Sequence, residues 1–269
     1  NIPFFVTRMA LYFGLWILFT RLFRKESLAE DLDANFKHYD KSITLAAAFL
    51  VFFAASSSTS AWDFLMSIDA HWFSTLFGWY TFAGLFVSGM AMMCMFILYL
   101  KARGYMDHVN SNHLHDVGKF MFAFSIFWTY LWYSQFMLIW YANIPEETTY
   151  FNSRISTDHQ TGAYSGIFWF QFIINFLAPL LILMRRGSKR NYTTVTIMAL
   201  VILFGHWLDF YQMIFASVAK EHVELGWLDF GVAAGFVGLI MYVVGNALSK
   251  YPLIARNHPF VKESIIHHT

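Results

Sequence analysis

Three polar side chains lie within one long apolar run in the last third of the chain. His206, Asp209 and Gln212 are spaced three residues apart, so a helix over 193–216 places them along one stripe. An ionisable group inside a membrane-spanning helix costs a few kcal/mol, which makes it a candidate for function by default. A carboxylate and an imidazole at this spacing could move a proton or bind the hydroxyls of a quinol. A structural ion pair is the alternative.

Other polar side chains lie in separate apolar runs, at similar depths from one end. At 1.5 Å per residue, Arg8, Gln135 and Gln171 are about 8, 10 and 12 Å from the outer ends of their runs, and Asp209 is about 10 Å in. The remaining members of this set lie on one face of the second run or near the outer interface: Ser56, Ser60, Asp63, Asp69 and His71. We therefore predict a polar region in the outer half of the bundle, over an apolar inner half.

Each of these residues also has a structural interpretation. Serine in a membrane helix commonly bonds to its own helix backbone, which applies to Ser56 and Ser60. Gln135 and Gln171 could hold helices together, and His71 could be a surface histidine. Arg8 and Asp209 have similar depths, so we hypothesise that they neutralise each other.

The sequence predicts no resident redox cofactor and no metal site. Only His206 lies well inside a run, whereas a bound haem needs facing histidines, and Cys94 is a single cysteine. Two kinds of site remain, a proton path or a quinol pocket. The residues that we assign to the chemistry of such a site are Asp209, His206, Asp63, Asp69 and His71. The possible quinol contacts are Gln135, Arg8, Tyr133 and Gln171.

The composition identifies the elements that must position these groups. Of 269 residues, 58% are hydrophobic, 20% aromatic and only 13% charged, with a net charge of +1. These values exclude an ordinary soluble enzyme, a disulfide scaffold and a nucleic-acid-binding protein. We predict an all-α, polytopic transmembrane helix bundle forming a single domain over 1–269, with lipids around it. Its seven spans are 3–23, 43–63, 72–101, 118–142, 163–184, 193–216 and 227–248, followed by a tail at 249–269.

Basic residues give the orientation of these spans. Fifteen of the eighteen Lys and Arg residues fall in the connections after spans 1, 3 and 5 and in the tail. Arg154 and Lys220 fall on the opposite side, and Arg8 lies within the first span. The positive-inside rule then places the C-terminus in the cytoplasm and Asn1 outside. An outside start without a signal peptide predicts an odd number of helices upstream.

Three stretches resemble a known family. Residues 127–148 (FWTYLWYSQFMLIWYANIPEET), Trp62–Thr75 and Gly205–Tyr211 are similar to ActF, the second large NrfD-like (polysulfide reductase-like) membrane subunit of bacterial alternative complex III. That complex is a quinol:cytochrome c oxidoreductase. The resemblance implies ten helices, of which this chain holds the last seven. The positions that match the family's motifs are Asp63, Asp69, His71, Gln135, His206 and Asp209; at His206 some relatives are expected to carry a cation such as arginine.

The resemblance also implies partners and a location. The partners are a sister NrfD-like subunit, an iron–sulfur subunit, multihaem and monohaem c-type cytochromes, and in some cases a terminal oxidase. The location is the bacterial inner membrane. The expected function is a subunit of a respiratory complex that carries no redox cofactor and uses its outer polar cavity for proton transfer, quinol binding or both. The alternatives are a stand-alone proton-coupled transporter, a structural scaffold, or a seven-helix subunit of a terminal oxidase.

Overall fold

The computed structural model describes residues 1–157, 160–161, 163–219 and 225–267. Lys220, one of the two cations assigned above to the outer side, lies outside these ranges. The described chain is helical, except for turns and a two-residue antiparallel pair formed by β1 (Ser156–Thr157) and β2 (Gln160–Thr161). The prediction of an all-helical chain is confirmed.

The helices follow one another with short connections. In chain order they are α1 (Ile2–Asp33), α2 (Phe36–Phe64), α3 (Phe77–Ala102), α4 (Ser111–Ala142), α5 (Pro145–Asn152), α6 (Ser165–Phe172), α7 (Ala178–Leu183), α8 (Arg186–Arg190), α9 (Tyr192–Val218), α10 (Trp227–Lys250) and α11 (Val261–Ile265). A 3-10 turn covers Met66–Ile68, and a π-helical segment, Ile173–Leu177, joins α6 to α7.

Six helices of the described chain are long and apolar enough to cross a membrane. They are Ile2–Asp33, Phe36–Ile68, Phe77–Ala102, Ser165–Leu183, Tyr192–Val218 and Trp227–Lys250. The remaining predicted span, 118–142, lies in α4, which has 32 residues but is not among the six. Its second half carries Trp128, Trp132 and Gln135, whose polar atoms lower its mean hydropathy. The third predicted span begins too early, because the helix starts at Phe77 rather than at residue 72.

Backbone signals end the helices where the chain turns. Ala34 adopts a left-handed conformation (φ 54°), and the Asn35 side chain then accepts a hydrogen bond from the backbone N–H of Lys37 to begin α2. Asn143 ends α4 in the same left-handed region (φ 49°), and Pro145 opens α5. These two turns produce the α1–α2 hairpin and the sharp passage from α4 into α5.

The centre of the bundle is formed by α3, α4 and α9, with the α6–α7 helix packed against them. One apolar core lies where α3 begins and α4 and α9 end; it contains Trp72, Phe77, Tyr80, Trp128, Leu131, Trp132, Ile139, Tyr150, Phe151, Phe168 and Met213. A second core lies towards the other end and contains Val87, Ala91, Cys94, Leu114, Met121, Leu183, Val195, Met198, Ala199 and Ile202. We call the first end the aromatic end and the second the basic end, because most Lys and Arg residues lie in the connections there.

Three helices are peripheral. The α1–α2 pair buries few residues and meets the centre through α2 and α3. The α10 helix has no buried residue along its whole length. Its ring contact with the rest of the bundle joins Trp207 and Phe230, with centroids 5.3 Å apart.

The tail after α10 runs across the basic end. The Asp31 carboxylate accepts hydrogen bonds from the backbone N–H groups of Arg256 (2.7 Å) and Asn257 (3.2 Å). Further along, His267 Nε2 lies 2.8 Å from Asp116 Oδ2 at the start of α4. The tail therefore connects the α1–α2 turn to the start of α4.

Candidate functional site

Among the buried acids of the described chain, Asp209 accepts the most side-chain hydrogen bonds. Its side chain, 1% exposed, lies in α9, nine residues before the helix ends at Val218. Tyr80 donates a hydrogen bond to Oδ1 (2.5 Å), Trp128 Nε1–H donates to Oδ2 (3.2 Å) and Gln212 Nε2 donates to Oδ1 (3.3 Å). Three neutral donors from three helices thus surround one carboxylate and satisfy its oxygens at this buried position.

The helices bring these donors together because α3, α4 and α9 pack against one another in the bundle centre. Tyr80 lies in the first turn of α3, and Trp128 lies in the middle of α4, so both face α9 across the bundle centre. Their rings also contact each other, with centroids 5.6 Å apart. Sequence reasoning missed both residues, because Trp and Tyr in membrane helices are commonly interfacial and do not by themselves indicate a site. The sequence gives no signal for this contact, because depth in the bundle does not say which helices are neighbours.

His206 lies one helical turn below Asp209 and is 2% exposed. Its Nδ1 is 4.0 Å from Asp209 Oδ2, and neither ring nitrogen finds a hydrogen-bond partner among the described residues. The imidazole packs edge-on against Trp128, with centroids 5.3 Å apart, and lies over Gly84, where an added Cβ would be 3.2 Å from Nδ1. The structure therefore places His206 beside the carboxylate in an aromatic surrounding.

Arg154 is a third residue that the sequence did not reveal. It follows α5 and is 1% exposed, although the sequence pattern assigned it to a loop. Its guanidinium lies 3.5 Å from the Tyr150 ring centroid and donates to the backbone oxygens of Tyr150 (2.7 Å) and Met213 (3.2 Å) and to Ser217 Oγ (3.3 Å). A buried cation from the end of α5 thus lies against the last turns of α9, at its aromatic end.

A small cavity lies between Asp209 and Arg154. Its lining is Tyr80, Trp132, Gln135, Tyr150, Phe151, Phe168 and Gln212. The Tyr80 side chain bonds Asp209, and the Tyr150 ring carries Arg154, so the cavity separates the two charges. Its volume is about 10 Å³, close to the roughly 10–15 Å³ that one water molecule needs.

Gln171 belongs to a neighbouring polar group at a helix irregularity. Its Oε1 accepts a hydrogen bond from Asn175 Nδ2 (3.2 Å), and both side chains are fully buried. Asn175 lies in the π-helical segment and presses against Gly205, where an added Cβ would be 2.9 Å from Asn175 Cγ and from Ile174 Cγ1. The π-helical turn therefore brings an amide against α9 just before His206; such turns are frequent at functional sites.

Arg8 does not pair with Asp209, so this hypothesis is wrong. Arg8 Nη2 lies 2.6 Å from Asp63 Oδ2, and Arg8 Nε donates to the Tyr12 hydroxyl (3.2 Å). The pair lies on the peripheral α1–α2 hairpin, while the bundle centre supplies the partners of Asp209. The similar depth of Arg8 and Asp209 was misleading because depth gives no information on which helices are neighbours.

The other predicted site residues lie outside the buried group. Asp69 follows the 3-10 turn and is partly exposed, His71 is exposed, and Tyr133 has 53% of its surface exposed. Ser56 accepts a hydrogen bond from Trp16 Nε1 (3.1 Å), and Ser60 donates to the backbone oxygen of Ser57 (3.0 Å). Ser56 therefore joins α1 to α2, whereas Ser60 bonds the backbone of its own helix. Of the nine site residues, Asp209, His206, Gln135 and Gln171 lie in the bundle centre, and Gln135 lines the cavity.

Below His206 the bundle centre is apolar. The second core contains no ionisable group other than the Cys94 thiol and separates the polar site from the basic end. Within the described residues, no group of three or more His, Cys, Asp or Glu side chains could hold a metal ion. The arrangement suits the binding of a proton or water from the aromatic end.

Sequence comparisons add no relative to this description. No protein-family model and no curated protein sequence matches the chain.

Proposed function

We propose that the chain is a membrane subunit of a respiratory quinol:cytochrome c oxidoreductase, similar to ActF of alternative complex III. In this proposal its seven spans, α4 included, are the last seven of ten NrfD-like helices. It carries no redox cofactor, and Asp209 takes up and releases a proton from the outer side. The 127–148 motif supports the family proposal, and the geometry around Asp209 supports the proton role.

The observation that carries the proton role is a carboxylate in the bundle centre whose tyrosine donor reaches the cavity at the aromatic end, with His206 on its other side. Tyr80 donates to Asp209 and also lines the cavity. A proton that reaches the phenol oxygen from the cavity allows the phenol to pass its own proton to Asp209, which leaves the tyrosine unchanged. On the other side lies His206, with Nδ1 4.0 Å from Asp209 Oδ2, and beyond it the second core is a cluster of apolar side chains. Access from one end is what a proton-loading site requires.

The cavity does not fit a quinol. Ligand pockets for organic molecules have volumes of roughly 300–1,000 Å³, whereas this cavity has about 10 Å³. Of the four side chains expected to contact a quinol, Tyr133 faces outward and Arg8 is bound to Asp63. We therefore assign proton transfer, and not quinol oxidation, to this site, and expect the sister subunit to bind the quinol.

The charge distribution and the long apolar helices support a bacterial inner-membrane location with the basic end in the cytoplasm. In this orientation the aromatic end faces the c-type cytochromes and the iron–sulfur subunit that the proposal includes. The uncovered α10 helix leaves a long surface for lipid or for another membrane subunit.

The test begins with the native assembly. Affinity purification of the tagged chain from its own membranes should bring an iron–sulfur protein and c-type cytochromes, detectable by iron content and haem spectrum. A chain that purifies without them is not a subunit of such a complex.

The proton role is tested by Asp209→Asn, which keeps the shape of the side chain but cannot ionise. We expect normal assembly and at least a tenfold loss of quinol-driven cytochrome c reduction or of the accompanying proton release. Wild-type values for both would leave a structural scaffold as the function.

A further inference from the structure

Two buried carbonyl oxygens of the cavity have no donor. Gln135 Oε1 and Gln212 Oε1 find no hydrogen-bond partner among the described residues, and their side chains are 4% and 1% exposed. A buried polar atom without a partner costs about 1–3 kcal/mol. Two such atoms lining the same small cavity need a common explanation.

We propose that this cavity is a binding site for one water molecule, which donates one hydrogen to Gln135 Oε1 and the other to Gln212 Oε1. This inference rests on the proposed proton role of Asp209 and identifies water as the molecule that passes the proton towards it. The volume of about 10 Å³ holds one water and no larger ligand. Water has two donors, and the cavity offers two acceptors, so a single molecule satisfies both.

The position of this water continues the hydrogen bonds of Asp209. Gln212 donates from Nε2 to Asp209 and accepts through Oε1 from the water, while Tyr80, whose hydroxyl donates to Asp209, lines the same cavity. The water therefore lies next to the phenol that donates to the carboxylate. A proton arriving at the water can transfer to the Tyr80 oxygen as the phenol releases its own to Asp209.

A metal cation is a weaker occupant for this cavity. Glutamine oxygens also bind small cations, but the Arg154 guanidinium lies on Tyr150, a ring of the same lining. A second positive charge so close to a buried guanidinium is unfavourable in a medium of low dielectric constant. A neutral ligand avoids this repulsion.

The α5 segment covers the water site at the outer end. Tyr150 and Phe151 come from this short helix, and Arg154 fixes its end to the backbone of α9. Tyr150 in turn stacks on Trp72, with ring centroids 4.1 Å apart. The water is thus held beneath an aromatic cover.

The decisive measurement is a structure of the native assembly at a resolution that reveals ordered water. We expect density within hydrogen-bond distance of both Gln135 Oε1 and Gln212 Oε1, unchanged when sodium is replaced by potassium. Density that depends on sodium would assign a cation. Glutamine amides that bond each other across a closed cavity would overturn the site.

Gln135→Met keeps the length of the side chain and removes the acceptor. We expect loss of the water density and about a tenfold lower proton-coupled turnover, with Tyr130→Phe, at an exposed position on the same helix, as the unchanged control. Loss of activity in Asp209→Asn but not in Gln135→Met rejects the water and keeps the proton role. Full activity in both variants rejects the proton role, and the density alone then decides whether water binds.

Discussion

The Tyr80 hydroxyl and the Asp209 carboxylate are 2.5 Å apart, although 129 residues separate them in the chain. This bond joins the first turn of α3 to the second half of α9, and the Trp128 bond adds α4 to the same carboxylate. One acid therefore connects the three central helices. In the proposed proton role, chemistry and packing share this contact, and variants must separate them.

Tyr80→Phe removes one donor and leaves the ring in place. A hydrogen bond to a charged group is worth about 1.5–3 kcal/mol, so we expect turnover to fall by roughly ten- to a hundredfold if the bond serves proton transfer. The melting temperature of the purified assembly reports the structural part separately. A variant with a lower melting temperature and normal turnover would assign the phenol to packing alone.

Arg154→Lys keeps the positive charge but loses the planar guanidinium, which bonds the Tyr150 and Met213 oxygens at once. We expect a loss of stability of at least about 1.5–3 kcal/mol, visible as a lower melting temperature. Arg154→Gln should be worse, because the charge is lost as well. Equal stability of all three proteins would contradict the anchoring role of this residue.

Gly205→Ala tests the contact between the π-helical segment and α9. The added Cβ would lie 2.9 Å from Asn175 Cγ, a collision with a buried side chain. Overpacking of this kind costs about 1–3 kcal/mol. Gly89→Ala is the matched control, because nothing lies within 4 Å of the added atom. Thermal unfolding should separate the two variants, and similar melting temperatures would refute the close packing.

The Arg8–Asp63 pair is suited to a double-mutant cycle. Arg8→Gln and Asp63→Asn each leave the partner without its counter-charge at 2.6 Å. We expect the double variant to be less destabilised than the sum of the single ones, which is the mark of coupled residues. Additive effects on unfolding would mean that the two charges act independently.

Release of the tail is measurable by proteolysis. Burial raises the pKa of Asp116, but hydrogen bonds from Lys119 and His267 outweigh it and hold the pKa below its ordinary value. The contact between Asp116 and His267 therefore stabilises the docked tail at pH values above the ordinary aspartate pKa. This stabilisation is lost as the pH falls through the lowered pKa of Asp116. At neutral pH, Asp116→Asn should speed tryptic cleavage after the exposed Lys262, with Asp107→Asn as the comparison. Unchanged cleavage would mean that this contact does not retain the tail.

The helical architecture could be predicted because run length and hydropathy report directly on membrane helices. The start of α3 could not, since Trp72 is as apolar as a helix residue but stacks on Tyr150 from a turn. Asp209 and His206 were found because ionisable groups in apolar runs are rare. Arg154 was missed because the sequence does not show whether a cation in a loop is exposed or buried. Arg8 was assigned the wrong partner because helix neighbours are a tertiary property.

No residue of the α10 helix is buried within the described structure. Its stability as a helix comes from the apolar medium, which leaves backbone groups no alternative to bonding one another. The Trp207–Phe230 ring contact and the tail restrain it near its two ends. Solubilisation in detergent should therefore free its middle to shift sideways before any other part of the bundle loosens, and preparation in lipid nanodiscs should preserve its native position.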